Sequence, residues 1–294
     1  MCGIFSKIGK YNEKTLLPYL NKIQHRGPDN TQTLCLDNVF LGFHRLSING
    51  LDNISNQPLY YDGVWVICNG EIYNYKTLIE ENNFNYKTNS DCEIIIHMYI
   101  RYGIEYTCKH LDGVFAFVLY DSVRNVLFSA RDHLGIRPLY YAVNNNNYDE
   151  YLSTLKENTI ASNDICFASE AKSLTFMNFI EQFPPRCYWS SQDAQFHSYY
   201  DFDNVIQKDY YNNEEEILSN IRDLLCNAVK KRFVMSDVEV GCLLSGGLDS
   251  SCIVSAMNNL GNDIPYLNND WQNLFHNAFE GSSFNELMNS MLDA

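Results

Sequence analysis

The sequence predicts two domains of different fold class, an α+β domain followed by the beginning of an α/β domain. The first two-thirds of the chain contain many short apolar runs, which are typical of strands, and few helical segments. Around residues 199–213 the composition shifts to Asp, Asn and Tyr, as in a linker. Beyond it, an apolar run leads through a Gly-rich loop into a helix, and such a unit after many strands indicates a separate domain. We therefore expect a first domain over residues 2–200, a linker over 201–213 and a partial second domain over 214–294.

Apolar runs predict the strands of the first domain. A polar segment at residues 121–125 separates two of these runs, which indicates a hairpin. The predicted strands cover residues 3–8, 39–44, 64–68, 114–120, 126–130 and 139–143.

Two helices are predicted in the first domain. One covers residues 15–24, where Pro18 falls in the first turn and is therefore tolerable. The other follows residues 89–93 and continues to about Arg101, since Ser90 with Glu93 three residues later is a capping box. Residues 144–163 begin with consecutive Asn residues and are predicted to form a surface loop.

The second domain is predicted to begin with an amphipathic helix over residues 214–233. Acidic residues at its start and basic residues at its end suit the helix dipole. The apolar run at 238–244 is typical of a strand in a parallel sheet. It leads into the loop at 245–251, and a helix is expected to follow through about Asn259.

The overall composition argues against several classes of function. The formal net charge of −15, with no basic stripe to offset it, argues against a nucleic-acid partner. No run reaches the roughly 18 apolar residues of a membrane helix, and the N-terminus lacks a signal-peptide pattern. The ten cysteines include no C-x-x-C pair, which argues against a metal site. These thiols fit a cytoplasmic location better than a disulfide framework.

The second residue is the strongest candidate for a nucleophile. If Met1 is removed, Cys2 carries both a thiol and a free α-amine. An α-amine has a pKa of about 7.7–8.0, so much of it is neutral near pH 7 and able to take a thiol proton. A thiol beside a base is suited to covalent attack on a carbonyl.

Three further positions are candidates to complete such a site. Asn69 and Gly70 follow a predicted strand and offer an amide and an unhindered backbone N–H to an oxyanion; an Asn-Gly turn is the alternative. Arg45 is suited to grip a carboxylate through two hydrogen bonds, and Asp91 to accept an ammonium group. The alternatives are that Arg45 is a surface charge and that Asp91 caps a helix.

The loop at 245–251 is a second candidate site. A Gly-rich turn at a helix N-terminus forms an anion site suited to phosphate or pyrophosphate. The loop is neither a Walker A motif nor G-x-G-x-x-G, and it contains no Lys. Its S-G-G-x-D-S spacing indicates binding of the pyrophosphate of a nucleotide cut between its α- and β-phosphates. A plain glycine turn is the alternative.

Taken together, these segments resemble the glutamine-dependent asparagine synthetases. The resemblance covers nearly all of residues 2–260 in unbroken order. The segments that carry it are residues 2–5, 25–29, 45–48, 69–74, 90–93, 112–117, 131–141, 168–172 and 244–251.

The resemblance implies a class II glutamine amidotransferase domain with the N-terminal-nucleophile fold, an αββα sandwich. Cys2 would attack the glutamine amide to give a glutamyl thioester and ammonia, with Asn69 and Gly70 forming the oxyanion hole. Ammonia would then reach aspartate, activated as aspartyl-AMP by Mg-ATP in a doubly wound α/β ATP-pyrophosphatase domain, which makes the chain a carbon–nitrogen ligase. The implied glutamine-binding residues are Arg45, Leu46, Ser47, Ile48, Asn49, Asn69, Gly70, Glu71 and Asp91. The implied ATP-binding residues are Leu244, Ser245, Gly246, Gly247, Asp249 and Ser250.

The resemblance stops soon after residue 251. The later aspartate- and ATP-binding signatures of the family do not follow, so the synthetase portion is incomplete. One alternative is therefore a glutaminase without a ligase step. Another is a chain whose synthetase portion is completed by a partner polypeptide, and a third is a non-catalytic relative. Association into a homo-oligomer is a separate expectation, because the partial domain would expose a sheet edge. The expected small-molecule substrates are glutamine, aspartate and ATP, with no nucleic-acid or membrane partner.

Overall fold

The computed structural model describes residues 1–144, 164–201 and 213–259. The chain divides into two compact units, Met1–Gln207 and Lys208–Ala294. The predicted loop at 144–163 and the predicted linker at 201–213 fall almost entirely outside the described residues.

The first unit contains two six-stranded antiparallel sheets. The strands of the first sheet are β1 (Gly3–Ile8), β2 (Asn30–Leu36), β3 (Val39–Arg45), β8 (Tyr140–Val143), β9 (Ile165–Ala168) and β10 (Phe179–Gln182). The strands of the second sheet are β4 (Leu59–Tyr61), β5 (Val64–Ile72), β6 (Gly113–Asp121), β7 (Val126–Arg131), β11 (Cys187–Ser190) and β12 (Gln195–Ser198). The first sheet has the order β10-β8-β9-β1-β3-β2, and the second has the order β12-β11-β7-β6-β5-β4.

The two sheets stack on each other through a shared apolar core. Ile4 and Phe43 of the first sheet belong to one buried cluster with Ile67 and Val118 of the second. Side chains alternate between the faces of a strand. Neighbouring residues such as Phe5 therefore belong to a different cluster on the outer face.

Helices cover both outer faces. Helix α1 (Glu13–Leu20) packs on the first sheet, where Leu16 and Leu20 are buried with Phe5. Three further helices are α2 (Tyr75–Asn82), α3 (Ile94–Tyr102) and α4 (Ile104–His110). Their buried residues form a cluster with the outer face of the second sheet. The unit is therefore the αββα sandwich that the sequence predicts.

Two details of the predicted helices are wrong. Helix α1 begins earlier than expected, because the Asn12 side chain accepts a hydrogen bond from Lys14 N, so Pro18 lies beyond the first turn. Its continuation, residues Asn21–Arg26, is a 3-10 helix. The capping box is absent: Ser90 Oγ accepts from Cys92 N at 3.3 Å, while the Glu93 carboxylate accepts from the backbone of the preceding loop and pairs with His97.

The described part of the second unit is helical. Helix α5 (Glu214–Val234) is capped by Asn213, whose side chain accepts from Glu215 N at 3.0 Å, and helix α6 is Leu248–Asn259. The predicted strand at 238–244 does not form within the described residues of this unit. The physical reason is that a strand needs a neighbour to accept its backbone hydrogen bonds, and these residues include no second strand to pair with.

None of the helices in the described ranges is both long and apolar enough to cross a membrane.

Candidate active site

The Cys2 thiol lies against the end of β3. Its Sγ accepts a hydrogen bond from Leu46 N at 3.4 Å and donates to Leu46 O at 3.6 Å. Arg26 Nε donates to Cys2 O at 2.9 Å, and Arg26 is held in turn by Glu170 at 3.0 Å. Both the main chain and the side chain of Cys2 are therefore fixed by residues distant in sequence.

The thiol opens into a narrow cleft. Every residue predicted for the glutamine site lines this cleft except Ser47, whose N donates to Asp29 Oδ2 at 2.7 Å. The predicted residues on the cleft wall are Cys2, Arg45, Leu46, Ile48, Asn49, Asn69, Gly70, Glu71 and Asp91.

Asn69 presents an unused donor to the cleft. Its side chain is 1% exposed, and its Nδ2 has no hydrogen-bond partner within the part of the chain that the structure describes. A buried polar group without a partner costs about 1–3 kcal/mol, so its retention indicates a ligand that completes it. This is the donor that an oxyanion requires.

Asn69 and Gly70 lie within a strand, so the alternative of an Asn-Gly turn is wrong. In the ladder between β5 and β6, Asn69 pairs with Ala116 and Gly70 with Phe115. A Cβ on residue 70 would lie 2.6 Å from Val114 O, so the close approach of the two strands requires glycine.

Arg45 is buried, with 5% exposure, so the alternative of a surface charge is also wrong. Its Nη1 donates to Asp52 O and Asn56 Oδ1, and its Nη2 donates to Asn49 O and Gly50 O. All four acceptors are neutral, so the guanidinium keeps a positive charge that attracts a carboxylate. Because the four terminal N–H groups are all engaged, a carboxylate binds Arg45 only by replacing some of these acceptors.

Asp91 is a buried carboxylate tied to β5. Its Oδ2 accepts from Ile72 N at 2.7 Å. Burial, followed by the nearby Glu71 carboxylate, outweighs the hydrogen bonds it accepts and raises the pKa of Asp91 to about 6. A bound ammonium group would stabilise the ionised form.

The segment 25–29 positions the end of β3. A Cβ on Gly27 would lie 2.2 Å from His44 O, so this residue must be glycine. Asp29 N donates to Arg45 O at 3.0 Å, while the Asp29 carboxylate binds Ser47 N. The sequence alone assigns no role to this segment, whereas the structure shows that it holds the loop after Arg45.

Sequence reasoning missed Arg137 as a residue of this cleft. Its Nη2 lies 2.9 Å from Glu71 Oε1, and the side chain lines the cleft beside Met1 and Cys2. An arginine before a proline carries no local signal for such a role, because its partner is 66 residues away in sequence.

The pKa values of the two N-terminal groups, the Met1 amine and the Cys2 thiol, are shifted in opposite directions. Burial raises the pKa of the Cys2 thiol, against the lowering effects of the Leu46 hydrogen bond and of the nearby amino terminus. Burial lowers the pKa of the Met1 amine, and the charges of Arg137 and Arg26 add to this, against the raising effect of Cys2. A lowered pKa makes an amine at this place a better candidate for a base near neutral pH.

The loop predicted to bind ATP is exposed and precedes α6. Ser245 Oγ and Ser250 Oγ are 3.0 Å apart, and Ser250 Oγ donates to Gly247 O at 3.0 Å. Gly246 has a φ of +80°, a backbone conformation that favours glycine. Asp249 lies in the first helical turn, and Leu244 is half-buried.

All ten cysteines are free thiols. Within residues 1–144, 164–201 and 213–259, no group of three or more His, Cys, Asp or Glu side chains is placed to hold a metal ion.

The αββα sandwich, with a cysteine at the head of its first strand and an amide donor across the cleft, defines the N-terminal-nucleophile fold class. A family model described as glutamine amidotransferase domain matches residues 1–228, and the chain belongs to this family. A second model, described as asparagine synthase, matches residues 220–289.

Several curated relatives are named asparagine synthetases. The chain is 37% identical over 290 residues to an asparagine synthetase [glutamine-hydrolyzing] of Gallus gallus, covering 87% of this chain and 48% of that protein. It is 38% identical over 273 residues to asparagine synthetase B [glutamine-hydrolyzing] of Escherichia coli, covering 87% and 44%. The chain thus spans about half the length of the curated relatives it matches.

A solved structure shares the fold. The glutamine phosphoribosylpyrophosphate amidotransferase of B. subtilis superposes with a TM-score of 0.54 at 18% identity, covering 68% of this chain and 49% of that one.

Proposed function

We propose that this chain hydrolyses the side-chain amide of glutamine at Cys2. The observation that carries the proposal is the shared cleft of the Cys2 thiol and the unpartnered Nδ2 of Asn69. A nucleophile and an oxyanion donor facing one cavity are the two groups that acyl transfer requires.

The reaction begins once Met1 is removed. The neutral α-amine of Cys2 takes the thiol proton, and the thiolate attacks the amide carbon of glutamine. Asn69 Nδ2 and Gly70 N stabilise the oxyanion, where one donor is worth about 10²–10³ in rate. As the tetrahedral intermediate collapses, the α-ammonium of Cys2 gives its proton to the amide nitrogen, and the C–N bond breaks to release ammonia. Water then attacks the glutamyl thioester and gives glutamate, and the Cys2 thiol is restored with a proton from that water.

The cleft supplies recognition for a free amino acid. Arg45 takes the α-carboxylate and Asp91 the α-ammonium, with Glu71 and the backbone of residues 46–49 lining the same wall. The two charged ends of glutamine thereby orient its amide toward Cys2.

We further propose that the ammonia is destined for aspartate activated by ATP, in glutamine-dependent asparagine synthesis. The match of residues 220–289 to the asparagine synthase model supports this step. Hydroxyls of Ser245 and Ser250 and backbone N–H groups at the start of α6 are suited to pyrophosphate. The Asp249 carboxylate is of the type that Mg²⁺ prefers. Free thiols throughout fit a cytoplasmic setting.

A glutaminase without ligase activity is the second candidate, favoured by the exposure of residues 245–249, since nucleotide sites bury most of their ligand.

The test is to incubate the full chain with glutamine, aspartate and Mg-ATP and to quantify glutamate and asparagine, with Cys2→Ala as control. Glutamate with asparagine supports coupled synthesis, and glutamate alone supports the second candidate. A Cys2→Ala variant that releases glutamate as fast as the parent would refute the nucleophile.

A further inference from the structure

The guanidinium of Arg137 lies on the cleft wall beside the N-terminal residues. It forms an ion pair with Glu71, at 2.9 Å from Nη2 to Oε1, and both side chains are largely buried. Its Nε has no hydrogen-bond partner within the part of the chain that the structure describes. Met1 and Cys2 line the same cleft.

The backbone around Arg137 is fixed from both sides. The buried Asp132 carboxylate accepts from Leu134 N, Ile136 N and Arg137 N at 3.1, 2.9 and 3.0 Å. On the other side, Arg131 donates from Nε to Arg137 O at 2.8 Å and from Nη2 to Gly135 O at 2.6 Å. A third donor of Arg131 binds Phe183 O at 2.6 Å, which anchors the segment to the end of the first sheet. The Arg137 side chain therefore starts from a preorganised backbone.

The charges around the N-terminus come from several elements. Arg26 is paired with Glu170 and Arg137 with Glu71, so each cation stands beside one carboxylate. Of the two members of the second pair, Arg137 acts more strongly than Glu71 on the pKa of the Met1 amine, which is the N-terminus in this structure. Arg137 also opposes the rise that burial causes in the pKa of the Cys2 thiol. The charged and titratable groups facing Cys2 on the cleft wall are Arg45, Glu71, Asp91, Arg137, Cys68 and Cys92.

We propose that Arg137 is a positioning residue for the N-terminal nucleophile. Held against Glu71 at the cleft wall, its fixed cation favours the neutral amine and the thiolate and so keeps both ready for attack near neutral pH. This inference rests on the proposed glutaminase function and deepens it.

Arg137 acts on the N-terminal groups through two electrostatic effects. A cation near an amine or a thiol disfavours the added proton, so it lowers the pKa of both groups. Without Arg137, the Glu71 carboxylate would stand unpaired in the cleft, where its charge raises the pKa of the amine that in this structure belongs to Met1. Loss of one residue thus acts twice in the same direction.

The test is the pH dependence of Cys2 alkylation by iodoacetamide, followed on the N-terminal peptide by mass spectrometry in the full chain. For Arg137→Met we expect the titration of the Cys2 rate to move about one unit to higher pH, with a rate at pH 7 about tenfold below the parent's. Arg137→Lys keeps the charge and stays close to the parent. Glu71→Gln removes the opposing charge and moves the titration to lower pH.

Arg101→Met serves as the matched control, because Arg101 is exposed on α3 and its alkylation profile should equal the parent's. An unshifted titration in a folded Arg137→Met, or equal shifts in Arg137→Met and Arg137→Lys, would overturn the proposal. If Arg137→Met fails to fold, Glu71→Gln provides the test. A Cys2 titration in Glu71→Gln that is unshifted or moves to higher pH would also overturn the proposal. The readout needs no glutamine, so a parent that releases no glutamate overturns the proposed function alone.

Discussion

Cys2 and Asn69 face one cleft from two different sheets. Cys2 stands at the head of β1 in the first sheet, and Asn69 lies near the end of β5 in the second. The stacking of the sheets through their shared core therefore sets the position of the Cys2 thiol relative to the Asn69 amide.

Asn69→Ala should lower kcat for glutamine hydrolysis about 10²–10³-fold with little change in KM, because the lost donor acts on the oxyanion. Asn69 Nδ2 has no partner in the described structure, so its removal breaks no hydrogen bond there. Steady-state kinetics should thus show a loss of activity in Asn69→Ala, while urea unfolding should show an unchanged free energy of unfolding. A loss of activity that follows a loss of stability would contradict the assignment.

Gly27→Ala should destabilise the first unit by about 1–3 kcal/mol, because its Cβ would lie 2.2 Å from His44 O in a packed site. The displaced end of β3 carries Arg45, so KM for glutamine should rise as well. Urea unfolding and kinetics measure the two effects. Gly241→Ala is the matched control, since nothing lies within 4 Å of its Cβ, and an equal effect there would refute the close-approach argument.

Glutamine binding should weaken as the pH falls below about 6, because Asp91 has a pKa of about 6, raised first by burial, and its protonated form cannot pair with an ammonium group. KM measured between pH 5 and pH 8, a range of roughly three units around this pKa, should show the rise. Asp91→Asn should have a high KM at every pH, which separates this titration from others in the cleft.

The raised pKa of Asp91 also makes the free energy of unfolding depend on pH. Asp91 titrates above its ordinary value of 3.8 in the folded chain, so the folded state binds this proton first. Its contribution to the free energy of unfolding therefore falls as the pH rises from 3.8 to about 6. Asp91→Asn should raise the thermal unfolding temperature at pH 7.5, roughly 1.5 units above this pKa, and the gain should shrink below it. An equal gain at both ends of the range would contradict the raised pKa.

Mg-ATP should bind this chain more weakly than micromolar. Residues 245–249 are exposed in the described structure, whereas nucleotide sites bury most of their ligand. Isothermal titration calorimetry with Mg-ATP, and with Mg²⁺ alone as control, measures this. A micromolar dissociation constant for Mg-ATP would show that the loop is completed by residues outside the described ranges.

Much of the first unit follows from local pattern. The apolar runs at 3–8 and 64–68 are strands because alternate side chains enter cores on both faces of their sheets. Strand β2 is not among the predicted strands. It is an edge strand in which half-buried and exposed residues alternate, and its polar residues make the sequence resemble that of a loop. The prediction of a strand at 238–244 is wrong, because an apolar run does not by itself supply a neighbouring strand with which to pair.

The sequence by itself determined which chemical groups are candidates for the site: a cysteine behind Met1, an amide beside a glycine, an arginine and an aspartate. Only the tertiary structure decided which of these groups is already engaged. Arg45 donates to four neutral acceptors, Asn69 Nδ2 has no acceptor in the described chain, and Arg137 joins the cleft through Glu71. Hydrogen bonds and ion pairs of this kind join segments far apart in the chain, so their partners exist only once the two sheets have stacked.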